Sequence, residues 1–273
     1  MKVIVLSEFD SHKKRLKNQI ESPHPAILRM GYVGAYNEEK HIVLNTSKSI
    51  YLCSDKINSK KLFLKNSIST PMGYNIYWKK KEEKDNSTHF VFEIVNFAGI
   101  KLTYDNFLQQ PKIAKLSHRK AGRGMVLLEN KHQIISFLKL LTDKIIDDDY
   151  YFESYLPYER EFRIHVCALG CIHAAEKEND IRYTKLQWCM ESNSCEFHTI
   201  FKRPSCWPYI IEECQRVLTL LKLDVGGFDI RVNKRGNMFT LIECNSGPSI
   251  SNASADKYKY WIPKLIEHKI KNK

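Results

Sequence analysis

The sequence predicts a mixed α/β fold, α+β in its later part. Three observations carry this. A strand, a helix and further strand-like stretches follow one another within the first fifty or so residues, the pattern of a small open α/β lobe. Two helices with apolar stripes follow, opening at Asn130 and at Pro208. Between and after them lie short strands, three around Pro157 and two in a hairpin near the C-terminus.

Taken in order, Lys2–Phe9 reads as a core strand, and Asp10-Ser11 caps a helix to about Glu21, ended by Pro23 and Pro25. Ala26–Met30, His41–Leu44 and Ile50–Cys53 are apolar stretches of strand length. No G-x-G-x-x-G occurs here, so no dinucleotide fingerprint is present. Ser54 is placed as the N-cap of a helix to Lys65, and Ile68 and Pro71 lead into extended chain. The charge run Trp78–Ser87 reads as a solvated loop or hairpin tip, Phe90–Val95 as a strand and Tyr104–Gln109 as a short helix.

Lys112–Leu128 has the form strand, basic glycine loop, strand. Gly122 and Gly124 allow close backbone approach to a phosphate, and Arg119, Lys120 and Arg123 supply charge. The G-K-[ST] ending of a Walker A loop is missing, and on its own this stretch reads as an ordinary basic hairpin turn sooner than as a phosphate loop. Asn130 caps a helix with Ile134, Ile135, Leu138, Leu141 and Ile145 as its core stripe. Tyr150–Leu156, Glu161–Ala168 and Cys171–Glu176 read as strands, Ile181–Thr199 as an excursion from the sheet. Pro208 opens a helix with the stripe Ile211, Cys214, Val217, Leu218 and Leu221. After Pro248 a basic helix runs to about Ile270, with Pro263 tolerable only in its first turn.

Leu223–Ile250 is the most informative stretch. Strands Gly227–Val232 and Met238–Glu243 alternate apolar and polar residues about a turn at Lys234-Arg235-Gly236-Asn237. Asp229 and Glu243 share one face, with Asn245 two positions on. Two carboxylates and an amide oxygen form an all-oxygen donor set suited to Mg²⁺ carrying nucleotide phosphates; the alternative is a surface hairpin with solvated acids.

Composition narrows the function class less. The chain has 273 residues, long enough for two or three lobes, and a net charge of +12. Residues 1–130 hold 22 Lys and Arg against 12 Asp and Glu, so the excess lies in the front half and favours anionic partners. No apolar run reaches membrane-span length and the first segment is too short in its apolar part for a signal peptide, which points to the cytoplasm. Cys167, Cys171, Cys189 and Cys195 could be drawn as a zinc site, but their spacing fits no structural zinc pattern; reduced thiols are the expectation for all eight cysteines.

These pieces, in this order, resemble the ATP-grasp superfamily, which includes D-alanine–D-alanine ligase and the ribosomal-protein glutamate ligases. The likeness runs from about Ser54 to Ser251. Its most specific part is Asp229, then Glu243-Cys244-Asn245 with Gly247-Pro248, close to the family's Asp … Glu-x-Asn-x-x-Pro ending. Asp55-Lys56 … Ile68-Ser69-Thr70-Pro71 resembles the helix and Gly-Ile-Pro-type turn before the grasp, with Ser67 where glycine is common. The N-terminal lobe, with Arg29-Met30-Gly31, is similar to short lobes of some phage-encoded members.

The resemblance implies an ATP-grasp fold: an N-terminal α/β lobe over 1–71, a central lobe with a glycine flap over 72–149, and a C-terminal lobe with the metal hairpin over 150–273, the last two being α+β with antiparallel sheets gripping ATP. It implies that Lys56 and Lys115 reach the phosphates, Lys115-Leu116 standing for the usual Lys-Pro. Arg119–Gly124, with Gly122 and Arg123, match the flap. Glu153, Ser154, Tyr155 and Leu156 match the adenine hinge, and Glu161 the acid for the ribose hydroxyls. Asp229, Glu243 and Asn245 match the Mg²⁺ ligands, two ions, with Mn²⁺ as a substitute. Arg163, Lys177 and Arg231 are then candidates for the transferring phosphoryl group or the substrate carboxylate. The implied activity is an ATP-dependent carboxylate–amine ligase working through an acyl phosphate, with ATP, an amino acid or acidic peptide tail and an amine as partners. The alternatives are a kinase on the same scaffold with a small anionic acceptor, and a non-catalytic relative binding nucleotide or nucleic acid.

Overall fold

The computed structural model describes every residue except 8, 18, 35, 37–39, 83–87, 118–123, 147, 180–194, 200 and 273. In chain order its elements are β1 (Ile4–Ser7), α1 (Asp10–Leu16), β2 (Ala26–Met30), β3 (Ile42–Leu44), α2 (Ser47–Ser54), α3 (Lys56–Lys65), β4 (Gly73–Glu82) and β5 (Thr88–Asn96). Then come β6 (Lys101–Leu102), α4 (Tyr104–Leu108), β7 (Lys112–Leu116), β8 (Val126–Leu128), α5 (Lys131–Thr142), β9 (Tyr150–Ser154), β10 (Arg160–Cys167) and β11 (Gly170–Asn179). The chain ends with β12 (Cys195–His198), α6 (Trp207–Leu221), β13 (Val225–Val232), β14 (Phe239–Asn245) and α7 (Asn252–Lys271).

Three sheets organise these elements: a three-stranded sheet in the order β1-β2-β3, a six-stranded sheet β6-β5-β4-β9-β7-β8 and a five-stranded sheet β12-β11-β10-β13-β14. The first is parallel, and the named pairings in the other two are antiparallel. The chain divides into two compact units. One comprises Met1–Leu62, Tyr158–Glu178 and Phe197–Lys273, the other Phe63–Pro157 and Asn179–Glu196.

In the first unit, the alternation of β10 and β13 sends Phe162, Ile164, Phe228 and Ile230 into full burial. The facing stripe of α6 buries Ile210, Cys214, Val217, Leu218 and Leu221, one turn-face away from the expected Ile211. α7 buries Tyr258, Ile262, Leu265 and Ile266 with Leu16, Ile20 and Leu28 of the N-terminal segment. In the second unit α5 turns Ile134, Phe137, Leu138 and Leu141 onto the six-stranded sheet.

Several elements differ from the sequence reading. Ile50–Cys53 lies inside α2, capped by Thr46, whose side chain accepts from Ser49 N–H; a four-residue apolar run cannot be assigned to strand or helix by periodicity. α3 is capped by Asp55, which accepts from Asn58 N–H at 3.0 Å, instead of by Ser54. α1 stops at Leu16, short of Glu21. Ile135 and Ile145 are exposed, not core. The first half of the charge run is strand, since β4 continues to Glu82. β9, expected to open the C-terminal lobe, pairs with β4 and β7 in the six-stranded sheet. Pro263 sits well inside α7, because that helix starts at Asn252 under a Ser251–Ser254 capping box. An interior proline costs about 3 kcal/mol, which burial of the four apolar side chains around it offsets.

Candidate functional site

In the first unit, one face of the five-stranded sheet is polar. Glu161, Arg163 and His165 alternate on β10. Across the ladders Glu161 stands opposite Lys177 and Arg231, Arg163 opposite Asp229, and Asp229 opposite Glu243. Gly227 is opposite Asn245. The other face of the same strands is apolar core, so register alone sorts these charges onto one side.

Two ionic rows result. Arg163 donates to both oxygens of Asp229, Nε to Oδ1 at 2.8 Å and a terminal nitrogen to Oδ2 at 3.0 Å. This is the bidentate fork that a lysine cannot reproduce. Glu161 accepts from Lys177 at 3.2 Å and from Arg231 Nε at 3.0 Å, so its two oxygens bind cations on both neighbouring strands. Glu243 accepts from Asn245 Nδ2 at 3.0 Å and lies 3.6 Å from Lys56 Nζ, placed by the first turn of α3. Burial raises the Asp229 carboxyl above its ordinary value against the pull of Arg163, with Glu243 and Glu161 adding to the rise. Burial alone would lower Arg163, but Asp229 and the neighbouring carboxylates hold it in its charged form.

The donor set fits a hard cation. Among the described residues no group of three or more His, Cys, Asp and Glu side chains could hold a metal. Asp229, Glu243 and Asn245 instead offer two carboxylates and an amide, leaving coordination positions for phosphate and water oxygens, the usual arrangement for Mg²⁺. Each Asp229 oxygen accepts one bond from Arg163 and keeps a second acceptor direction. Asn245 presents its Oδ1 because its Nδ2 is engaged by Glu243.

In the second unit, Lys115 on β7 and Glu153 on β9 form a buried pair at 2.7 Å, with the Glu153 side chain only 1% exposed. Next to it the hinge candidates run out of β9. Ser154 N–H donates to Met72 O at 2.9 Å and Tyr155 N–H to Pro111 O at 3.0 Å. Among the described residues, no hydrogen bond is recorded from the Leu156 N–H. Gly124 takes the left-handed conformation, φ 73°, which favours glycine, and its α-carbon lies close to the Leu116 side chain. Arg119, Gly122 and Arg123 lie outside the described residues.

The candidate residues therefore gather in two groups. Lys56, Glu161, Arg163, Lys177, Asp229, Arg231, Glu243 and Asn245 lie in the first unit, and Lys115, Gly124, Glu153, Ser154, Tyr155 and Leu156 in the second. Sequence reasoning missed His165. It continues the polar alternation of β10 and is buried under Tyr258, ring centroids 5.7 Å apart; the spacing 161, 163, 165 was the available signal. It also missed Lys112, which is buried over the rings of Tyr74 and Phe107 and whose amine burial pushes down to about 8.

No protein-family model matches the chain, and a search of curated proteins finds no match. Solved structures do match. D-alanine–D-alanine ligase from Bacillus anthracis aligns with a TM-score of 0.59 at 15% identity, over 99% of this chain and 96% of that one. The same enzyme complexed with ATP gives 0.57 at 14% identity, over 97% and 93%. The ATP-grasp ligase PsnB complexed with a phosphomimetic variant of its minimal precursor, Mg and ADP gives 0.52 at 14% identity, over 85% of this chain and 63% of PsnB. At these identities the likeness concerns the fold: the chain has the ATP-grasp fold.

Proposed function

We propose that this chain, as a protein with the ATP-grasp fold, is an ATP-dependent ligase that joins a carboxylate to an amine and releases ADP and phosphate. The observation that carries the reading is the row Arg163–Asp229–Glu243–Asn245, with Lys56 on Glu243, on the polar face of the five-stranded sheet. A buried and a half-buried carboxylate side by side, each braced by a cation, are costly to desolvate and contribute little to stability, so a role in handling phosphate oxygens accounts for the row better than folding does. The ATP and Mg–ADP complexes among the similar structures support the same choice of cofactors.

In this reading Asp229, Glu243 and Asn245 hold Mg²⁺, which when bound neutralises phosphate charge. Lys56 adds a positive charge beside Glu243, and Arg163 orients Asp229 and opposes the rise that burial imposes on its carboxyl. Lys115, held straight by Glu153, binds phosphate oxygens, and the Leu156 amide contacts the adenine edge. A carboxylate oxygen of the substrate attacks the γ-phosphorus of ATP, the bond to the bridging oxygen breaks with departure of ADP, and the acyl phosphate forms. An amine then attacks the acyl carbon, the C–O bond to phosphate breaks, and the amine proton leaves with water or the departing phosphate. Arg231 and Lys177, both on Glu161, supply positive charge for the carboxylate substrate, an amino acid or an acidic peptide tail.

The test is a matrix of carboxylates and amines incubated with ATP and Mg²⁺, scored for ADP and phosphate and for amide product by mass spectrometry. ADP release that requires both substrates supports the ligase. Release with a single hydroxyl acceptor, with phosphate transferred to it, supports a kinase instead.

A further inference from the structure

Asn45, directly after β3, is fully buried, and its backbone is left-handed, φ 59°, a region that asparagine enters more readily than most residues. Its carboxamide is directed at the start of β13. Oδ1 accepts from Asp224 N–H at 2.8 Å and from Val225 N–H at 3.0 Å, and Nδ2 donates to Val225 O at 2.8 Å. Nδ2 also donates to Arg29 O at 3.2 Å and to Ser246 O at 3.4 Å. Two hydrogens meet three carbonyls, so one of them is shared.

The two bonds to Val225, one given and one received, are the exchange that a residue makes with its partner in an antiparallel ladder. The β13–β14 ladder ends at the pair Gly227 and Asn245. Val225 lies two residues before that pair and Ser246 one residue after it, so the carboxamide is bonded to both strands at the open end of the hairpin. Two further contacts hold the same end. Cys53 Sγ donates to Cys244 O at 3.2 Å. A Cβ on Gly247 would lie 2.7 Å from the Met30 carbonyl carbon and 2.8 Å from Gly31 N, so backbone meets backbone there. Asn45 is itself anchored: its N–H donates to Asp224 Oδ2 at 2.8 Å, and Asp224 accepts from Lys269 Nζ at 2.6 and 2.8 Å.

We infer that Asn45 is a positioning residue for the cation site: its carboxamide closes the open end of the β13–β14 ladder and so fixes where Asn245 presents its Oδ1. The inference rests on the reading of Asp229, Glu243 and Asn245 as cation ligands. It gives the segment after β3 a task in cation binding without a contact to the ion.

The test is calorimetric titration of the full chain with ADP, with and without Mg²⁺, alongside thermal unfolding. The quantity read is the factor by which Mg²⁺ tightens ADP binding, which a loss of stability alone does not move. Asn45→Gly keeps the left-handed backbone and removes the carboxamide. We expect it to shrink that factor about tenfold, the scale of one hydrogen bond, with Mg²⁺-free ADP affinity within about threefold of wild type. Lys269→Met is the comparison: it removes the cation from Asp224 and should lower the melting temperature with the factor unchanged. An unchanged factor in folded Asn45→Gly overturns the inference. So does an equal loss in Lys269→Met, which makes Asn45 a residue for stability alone. If Asn45→Gly does not fold, Asn45→Asp carries the test, since it keeps both acceptor bonds and loses only the donors. Its added negative charge favours a cation, so a smaller factor there follows from the lost donors, and an unchanged factor overturns the inference. Wild-type ADP binding that ignores Mg²⁺ refutes the cation reading, and this inference falls with it; that outcome is read on the wild type alone and is distinct from the others.

Discussion

Asp229 and Glu243 face each other across the β13–β14 ladder, and a different cation braces each: Arg163 grips Asp229 through two bonds, and Lys56 stands 3.6 Å from Glu243. Two carboxylates brought so close repel unless a cation lies between or beside them.

Glu243→Ala should abolish ATP turnover and leave the fold intact, because Glu243 is only partly buried and its removal opens no core cavity. ADP release and circular dichroism check this. Turnover at the wild-type rate in a folded variant would sink the metal assignment.

Arg163→Lys keeps the charge but loses the fork. Its expected cost is about 1 kcal/mol of stability, together with a tenfold or larger fall in kcat at nearly unchanged KM for ATP. Unchanged kcat would make Arg163 a brace for the sheet alone.

Lys115→Met should act twice. It removes a phosphate contact, raising KM for ATP, and takes the Lys115 cation from the buried Glu153 carboxylate, destabilising the chain by about 3 kcal/mol. Adding Glu153→Gln should recover much of the stability and none of the KM. Recovery of both would mean that the pair is structural only.

Acid should destabilise the fold through two imidazoles. Burial lowers His12 to about 4 and His165 to about 3, with charges of Arg15 on the first and of His173 and Arg163 on the second adding to the effect. Unfolded histidines titrate near 6.5, so the unfolded chain takes up protons that the folded chain refuses. Stability from this source is complete above pH 6.5 and falls as pH drops from 6.5 toward 4 and 3. His165→Gln should therefore lose less stability than wild type between pH 7 and pH 5; parallel unfolding curves for the two would contradict the assignment.

The β13–β14 hairpin was legible because its signals are local. Alternation, a glycine turn and the spacing from Asp229 to Glu243 and Asn245 all lie within one stretch, and the Asn130 cap was legible for the same reason. Contacts between distant segments were not. Nothing in the sequence around Arg163 announces that β10 lies beside β13, nor that residue 45 meets residues 224 and 225. The four apolar residues Ile50–Cys53 went to helix because Thr46 caps them, a signal that competed with their strand-like composition. Propensity admits Pro263 only in a first turn, and tertiary burial of Tyr258, Ile262, Leu265 and Ile266 overrides it. The flap candidates Arg119, Gly122 and Arg123 stand as proposals from the sequence.

The central claim is that Asp229, Glu243 and Asn245 bind a cation that carries ATP phosphates. Its most direct test is the binding of a non-hydrolysable ATP analogue, measured by calorimetry with and without Mg²⁺, in wild type and in an Asp229→Asn/Glu243→Gln double variant. Binding that requires Mg²⁺ in the wild type and becomes Mg²⁺-independent or disappears in the variant is the predicted result. Equal Mg²⁺ dependence in both proteins would contradict it.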